Sequence, residues 1–383
     1  MKLWYLLIAA LVAVLPLTST VDAADNYASK TTKSKAKTKK SKDRDVRKAA
    51  SRKKKELRQQ GVKKVRVNSP GDWPRSVSVP KDTEVVVAES AGDKQTFTSN
   101  HFQYESPVAL DEAAQKTVAR LCECAYAANK AIGEVIPVPR ATAERGDKKF
   151  MVQLWPTMAA YHQNGGPQGS AGVFVGALRR FQGPNAPRTT TEEHIAMDKV
   201  MIPFPSLGIG AGGSVVSEDI NTHALVHELT HQQFLLNNLP IWANGGWAEY
   251  VGYIPYVGED LDFSMGFSAV QQSAKQMGEN GALDFDFGLE QFFTMDQKTM
   301  YGYMPNKNTY MLSVMTVAFF VHLDGKKGVD AMKAYLQALI DGKTAEEAAQ
   351  ELIKPHRTVE RLEQDFIRAW KSKKVKVSFP KER

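Results

Sequence analysis

The residues with the most chemical content are His227, Glu228 and His231, which form the pattern His-Glu-x-x-His. On a helix, side chains four apart share a face about one turn from each other, so both imidazoles point the same way. Neutral imidazole nitrogens are good zinc ligands, and two at this spacing can hold one ion. Glu228, beside the first histidine, is placed to take a proton from a metal-bound water whose pKa the ion has lowered. With 8 histidines in 383 residues, chance yields this five-residue pattern on the order of 1% of the time. His223 lies one turn earlier on the same face and reads as a neighbour or surface group, not a further ligand. A catalytic zinc site also needs a third protein ligand and one open position.

These residues need a buried helix, and the flanking sequence supplies one. Ala224, Leu225, Val226, Leu229, Phe234 and Leu235 are apolar or small, and Asn221 or Thr222 can cap the start of a helix expected over 217–236. Upstream, the patterns predict strands over 84–88, 96–105, 150–155, 171–178 and 199–204, with a helix within 106–136. Downstream the periodicity is helical, with segments starting at 247, 267, 289, 310, 329, 345 and 359. Asp341-Gly342 is a helix stop, because glycine readily takes the left-handed conformation that ends a helix. The fold class is therefore α+β, a small mixed sheet followed by a mainly helical half. The sheet-containing half runs to about 216, and the motif helix sits at the junction. The glycine-rich loop over 208–213 lacks the Gly-Lys-Ser/Thr ending of a phosphate-binding loop.

Charge and composition bound the rest. Hydrophobic residues make up 43% and charged residues 24%, as in an ordinary globular chain. Residues 30–66 hold 18 Lys+Arg against 3 Asp+Glu, a net +15, which leaves −7 elsewhere in a chain whose total is +8. The segment 24–66 is thus a basic tether, too poor in apolar residues to offset its ordering entropy. It suits an anionic surface. Over 31–68 it has no interleaved aromatics for base stacking, and the acidic remainder argues against a specific nucleic-acid partner. Lys2, the apolar run 3–17 and Val21-Asp22-Ala23 read as an export signal over 1–23, leaving no later stretch that spans a bilayer. Cys122 and Cys124 are two apart on an expected helix and point to different faces. They read as buried small residues, so the domain 67–383 has no disulfide framework.

Beyond the motif helix the chain reads Leu239-Pro240-Ile241-Trp242-Ala243-Asn244-Gly245-Gly246-Trp247-Ala248-Glu249-Tyr250. With the histidine motif, this resembles the gluzincin metallopeptidases, the broad group that includes thermolysin and the aminopeptidases. The elements around Asn100-His101-Phe102, Trp155 to Tyr161 and Gly172-Val173-Phe174 extend the likeness to bacterial exported members, over about 67–371. The resemblance implies a zincin-like fold, a Zn2+ ion, a peptide or protein substrate and Glu228 as general base. It also implies a third ligand from a Glu in a Trp-x-x-Glu-Gly-x-Ala-x-Tyr context. Here Gly245 stands in that place, and Glu249 lies one turn further along the same face. Glu249 is taken as the third ligand, brought round by a shift of the helix start. The alternatives are a carboxylate that supports a histidine from behind, or a degenerate peptidase that serves as a binding or envelope-associated protein. Glu259, Asp260 and Asp262 are further acidic candidates. Tyr310, Tyr303 and Tyr301 are candidates for the oxyanion-steadying tyrosine of that group. The strand over 200–204 is the candidate for pairing with an extended substrate.

Overall fold

The computed structural model describes residues 51–53, 55, 67, 69–87, 94–138, 148–176, 198–217, 220, 222–234, 239–278, 282–303 and 307–380. The expected leader and nearly all of the basic segment lie outside them.

The sheet-forming half begins with β1 (Val77–Ser78), β2 (Val86–Val87), β3 (Gln95–Thr98) and β4 (Phe102–Ser106). The single strand expected over 96–105 is a hairpin. The chain reverses at Ser99 and Asn100, where Ser99 N–H donates to the Phe102 carbonyl at 2.9 Å. Asp111 then caps α1 (Glu112–Val135) by accepting from the Ala114 N–H. Next come β5 (Phe150–Trp155), α2 (Met158–Gln163), β6 (Val173–Val175) and β7 (Lys199–Pro203). Six strands form one mixed sheet in the order β2-β3-β4-β5-β7-β6. β4, β5 and β7 run parallel at its centre, with antiparallel pairs at both ends.

Side-chain alternation decides which face is covered. Phe150, Val152 and Leu154 of β5 point into the main core, and Met151, Gln153 and Trp155 point the other way. β7 reads as a continuous apolar run because both its faces are packed. Val200 and Ile202 join the main core, whereas Met201 packs with Tyr161 and Val173 on the opposite face. Cys122 and Cys124 are both buried and unbridged, as expected. Burial pushes both thiols up, Cys124 to about 12, which keeps them protonated.

The motif helix α3 (Thr222–Phe234) packs on the core face against β6, β7 and α1. α4 (Ile241–Gly252) follows and lies against α3. It starts six residues earlier than the expected 247. Pro240 provides the φ of a helix entry, and the weak helix formers Gly245 and Gly246 are held in the helix by tertiary packing. A short hairpin, β8 (Tyr256–Val257) and β9 (Asp260–Leu261), pairs with β1 and stitches the two halves together.

The helical half comprises α5 (Phe263–Met277), α6 (Leu289–Thr294), α7 (Gln297–Tyr303), α8 (Lys307–Ala318), α9 (Gly325–Ile340), α10 (Ala345–Ile353) and α11 (Val359–Ser372). β10 (Ala282–Asp284) and β11 (Lys376–Ser378) pair in parallel at its end. The helix expected over 310–323 changes to a π-turn at Phe319–Leu323. There His322 is buried between the Tyr250 hydroxyl, 2.6 Å away, and Ser69 Oγ, 2.9 Å away. Gly342 takes the left-handed conformation expected of the helix stop. The main hydrophobic cluster runs from Trp73 to Val377 across both halves. Among the described residues no helix is long and apolar enough to cross a membrane.

Candidate metal centre

α3 carries His223, His227 and His231 at successive i, i+4 positions. The side chains of His227 and His231 are buried, and their rings meet nearly edge to face, with centroids 4.6 Å apart and planes at 73°. Their Nε2 atoms face each other at 2.9 Å. Two nitrogens on one tetrahedral zinc, each at about 2.0–2.1 Å, stand roughly 3.3 Å apart. The pair therefore has to part by only a few tenths of an ångström to hold an ion. Burial lowers both imidazole pKa values. His231 falls to about 4, with a hydrogen bond to Asn244 opposing the shift, and His227 falls well below its ordinary value, helped by His231 and His223. Both rings are therefore neutral at pH 7, which is the form that binds metal.

Glu228 is buried beside them. Its Oε2 accepts the Phe174 N–H of β6 at 2.7 Å, and its Oε1 lies 4.0 Å from His227 Nε2. One ligand atom each from His227, Glu228 and His231 lies within 4.8 Å of the others. Burial raises the Glu228 pKa to about 8; the Phe174 N–H lowers it and Glu249 raises it further. A carboxyl group buried this deeply beside two neutral imidazole nitrogens is a donor set suited to a cation.

α3 and α4 run antiparallel, which sets what each residue of α4 can reach. Gly252 lies against the His223 ring, Glu249 reaches His223 and His227, and Asn244 reaches His231. Glu249 accepts the His223 Nε2–H at 2.8 Å, and its other oxygen is 3.7 Å from His227 Nδ1. It thus stands behind His227, away from the Nε2 atoms, and does not join the His227–Glu228–His231 cluster. α4 starts at Ile241, which leaves Glu249 in its third turn, facing the far edge of the ring. His223, expected as a neighbour or surface group, is the partner of Glu249.

The other candidates fall elsewhere. Glu259 pairs with Arg120, Asp260 lies in the β1–β9 ladder, and Asp262 caps α5 through the Ser264 N–H. Tyr303 packs against Phe287 with ring centroids 5.0 Å apart, and the Tyr301 side chain lies outside the described residues. Tyr310 lies against α4: a Cβ at Gly245 would sit 3.4 Å from its hydroxyl oxygen. The strand expected to receive substrate, β7, is paired with β5 from Lys199 to Pro203 and is covered on its other side by β6 from Lys199 to Met201. The Phe174 contact to Glu228 had no signal in the sequence, because a backbone N–H carries none. The Asn244 contact to His231 had none either, because it depends on how α4 packs on α3.

No protein-family model, curated protein or solved structure matches the chain.

Proposed function

We propose that the chain is an exported zinc-dependent peptidase that cleaves peptide bonds with Glu228 as general base. The observation carrying this reading is the pair of buried Nε2 atoms 2.9 Å apart with the Glu228 carboxyl group beside them. A bound zinc ion would supply Lewis-acid polarisation of water and of the scissile carbonyl. His227 and His231 would hold it. Glu228 would take the proton from the attacking water on Oε1 and pass it to the departing amine. The Phe174 N–H fixes Oε2, so that Oε1 stays turned toward the histidines. Glu249, held by His223, stands 3.7 Å behind the His227 Nδ1, placed to support that ring once it carries metal. Export rests on Lys2, the apolar run 3–17 and the small residues around Ala23. The basic segment 24–66 would attach the domain to an anionic surface.

The test uses the purified full chain. About one zinc per chain and hydrolysis of unfolded protein or a peptide library are expected. Glu228→Gln should keep the zinc and lose the hydrolysis. Equal hydrolysis in wild type and Glu228→Gln removes Glu228 as base. A second reading, a zincin-like binding protein without turnover, is favoured by Gly245, which offers no carboxylate. Bound zinc with no hydrolysis in wild type selects that reading.

A further inference from the structure

The antiparallel packing of α3 and α4 places Gly245 level with the turn between His227 and His231, next to the Asn244 that touches His231. A side chain there would project toward Tyr310. Its Cβ would lie 3.4 Å from the phenol oxygen, 3.5 Å from Cζ and 3.9 Å from Cε1. By ordinary bond geometry a glutamate's carboxylate oxygens lie about 3–3.6 Å from its own Cβ. The phenol oxygen therefore sits at the distance from the α4 backbone where the oxygens of a glutamate at 245 would be.

The adjacent glycine explains how Tyr310 reaches this point. A Cβ at Gly246 would lie 2.6 Å from the Ser313 carbonyl oxygen, closer than any real contact. α8 thus packs directly on the α4 backbone, and Ser313 is three residues after Tyr310, on the same side of α8. Gly246 admits the helix, and at Gly245 the phenol ring lies in ordinary contact distance of where a Cβ would be.

We propose that Tyr310 supplies the oxygen ligand that Gly245 lacks, making a His227–His231–Tyr310 site for a divalent first-row metal. The phenol proton passes to water as the metal–oxygen bond forms. This inference rests on the reading that the histidine pair binds metal. It replaces a carboxylate with a phenolate, which is bulkier and is held by α8 instead of α4. The third ligand thereby becomes dependent on the packing of the helical half.

The test is metal binding by the full chain, with no activity readout. The protein is stripped with a chelator and titrated with zinc against a competing indicator, and separately loaded with Cu(II) for visible absorption. Wild type should bind one equivalent and show a phenolate-to-copper charge-transfer band. Tyr310→Phe should lose the band and bind zinc at least about ten-fold more weakly. The double variant G245E/Y310F should regain the affinity without the band. If wild type binds metal but shows no such band, the proposal is overturned even if Tyr310→Phe does not fold. Equal zinc affinity in wild type and Tyr310→Phe also overturns it, leaving the metal reading intact. No binding by wild type overturns both.

Discussion

Glu228 and Glu249 both face the same histidine, and their surroundings give them different work. Glu228 is buried at the Nε2 edge of His227 and keeps one oxygen for a backbone N–H. Glu249 stands at the Nδ1 edge, tied to His223. The expected outcomes differ accordingly. Glu228→Gln should lower kcat by roughly 10²–10⁴-fold with zinc content unchanged, measured on the same preparation. Glu249→Ala should weaken zinc about 10–100-fold without changing the stoichiometry at saturating metal, as removal of a supporting carboxylate does. A stoichiometry that falls to zero would return Glu249 to the ligand set.

At the scale of elements, two contacts decide how the site is held. The first is the α4–α8 contact at Gly246. Gly246→Ala puts a methyl group against the Ser313 carbonyl, so the helices must separate, at a cost of about 1–3 kcal/mol. A denaturant midpoint equal to wild type would show that this contact is not tight in solution. The second joins the β3–β4 hairpin to α1 through buried Glu123, which accepts from Ser99 Oγ, His101 N–H and His101 Nδ1 at 2.6, 2.8 and 2.6 Å. Burial alone would raise this carboxyl group, but these three hydrogen bonds outweigh it and hold the pKa below the ordinary 4.5. A depressed folded-state pKa contributes stability that is complete above 4.5 and is lost as pH falls through the lower native value. Glu123→Gln should therefore cost about 1.5–3 kcal/mol at pH 7. The deficit should shrink in acid, as read from urea melts at several pH values.

For the whole molecule, one core joins the sheet-forming and helical halves, and β1 pairing with β9 crosses between them. The basic segment contributes charge of the opposite sign to the remainder. Deleting residues 30–64 should change stability by no more than about 0.5 kcal/mol and should abolish salt-sensitive binding to anionic vesicles. A larger loss of stability would make the segment part of the fold.

Local chemistry was legible in the chain. The histidine pair, the glutamate between them and the stop at Gly342 each depend on residue type and on spacing within one turn. The α+β division was legible too, because strand and helix periods differ. What lay outside its reach was every relation between elements. Thr96 to Glu105 alternates like one strand, and only pairing in register shows the reversal at Ser99 and Asn100. Gly245-Gly246 falls before the helix start read at 247, and only the structure shows it inside the helix with α8 packed on it. Which edge of His227 meets Glu249, and which side chain fills the space beside Gly245, follow from the antiparallel packing of α3 and α4 and the close approach of α8. One-dimensional spacing fixes a face of a helix, but the partner of that face is chosen by packing between segments far apart in the chain.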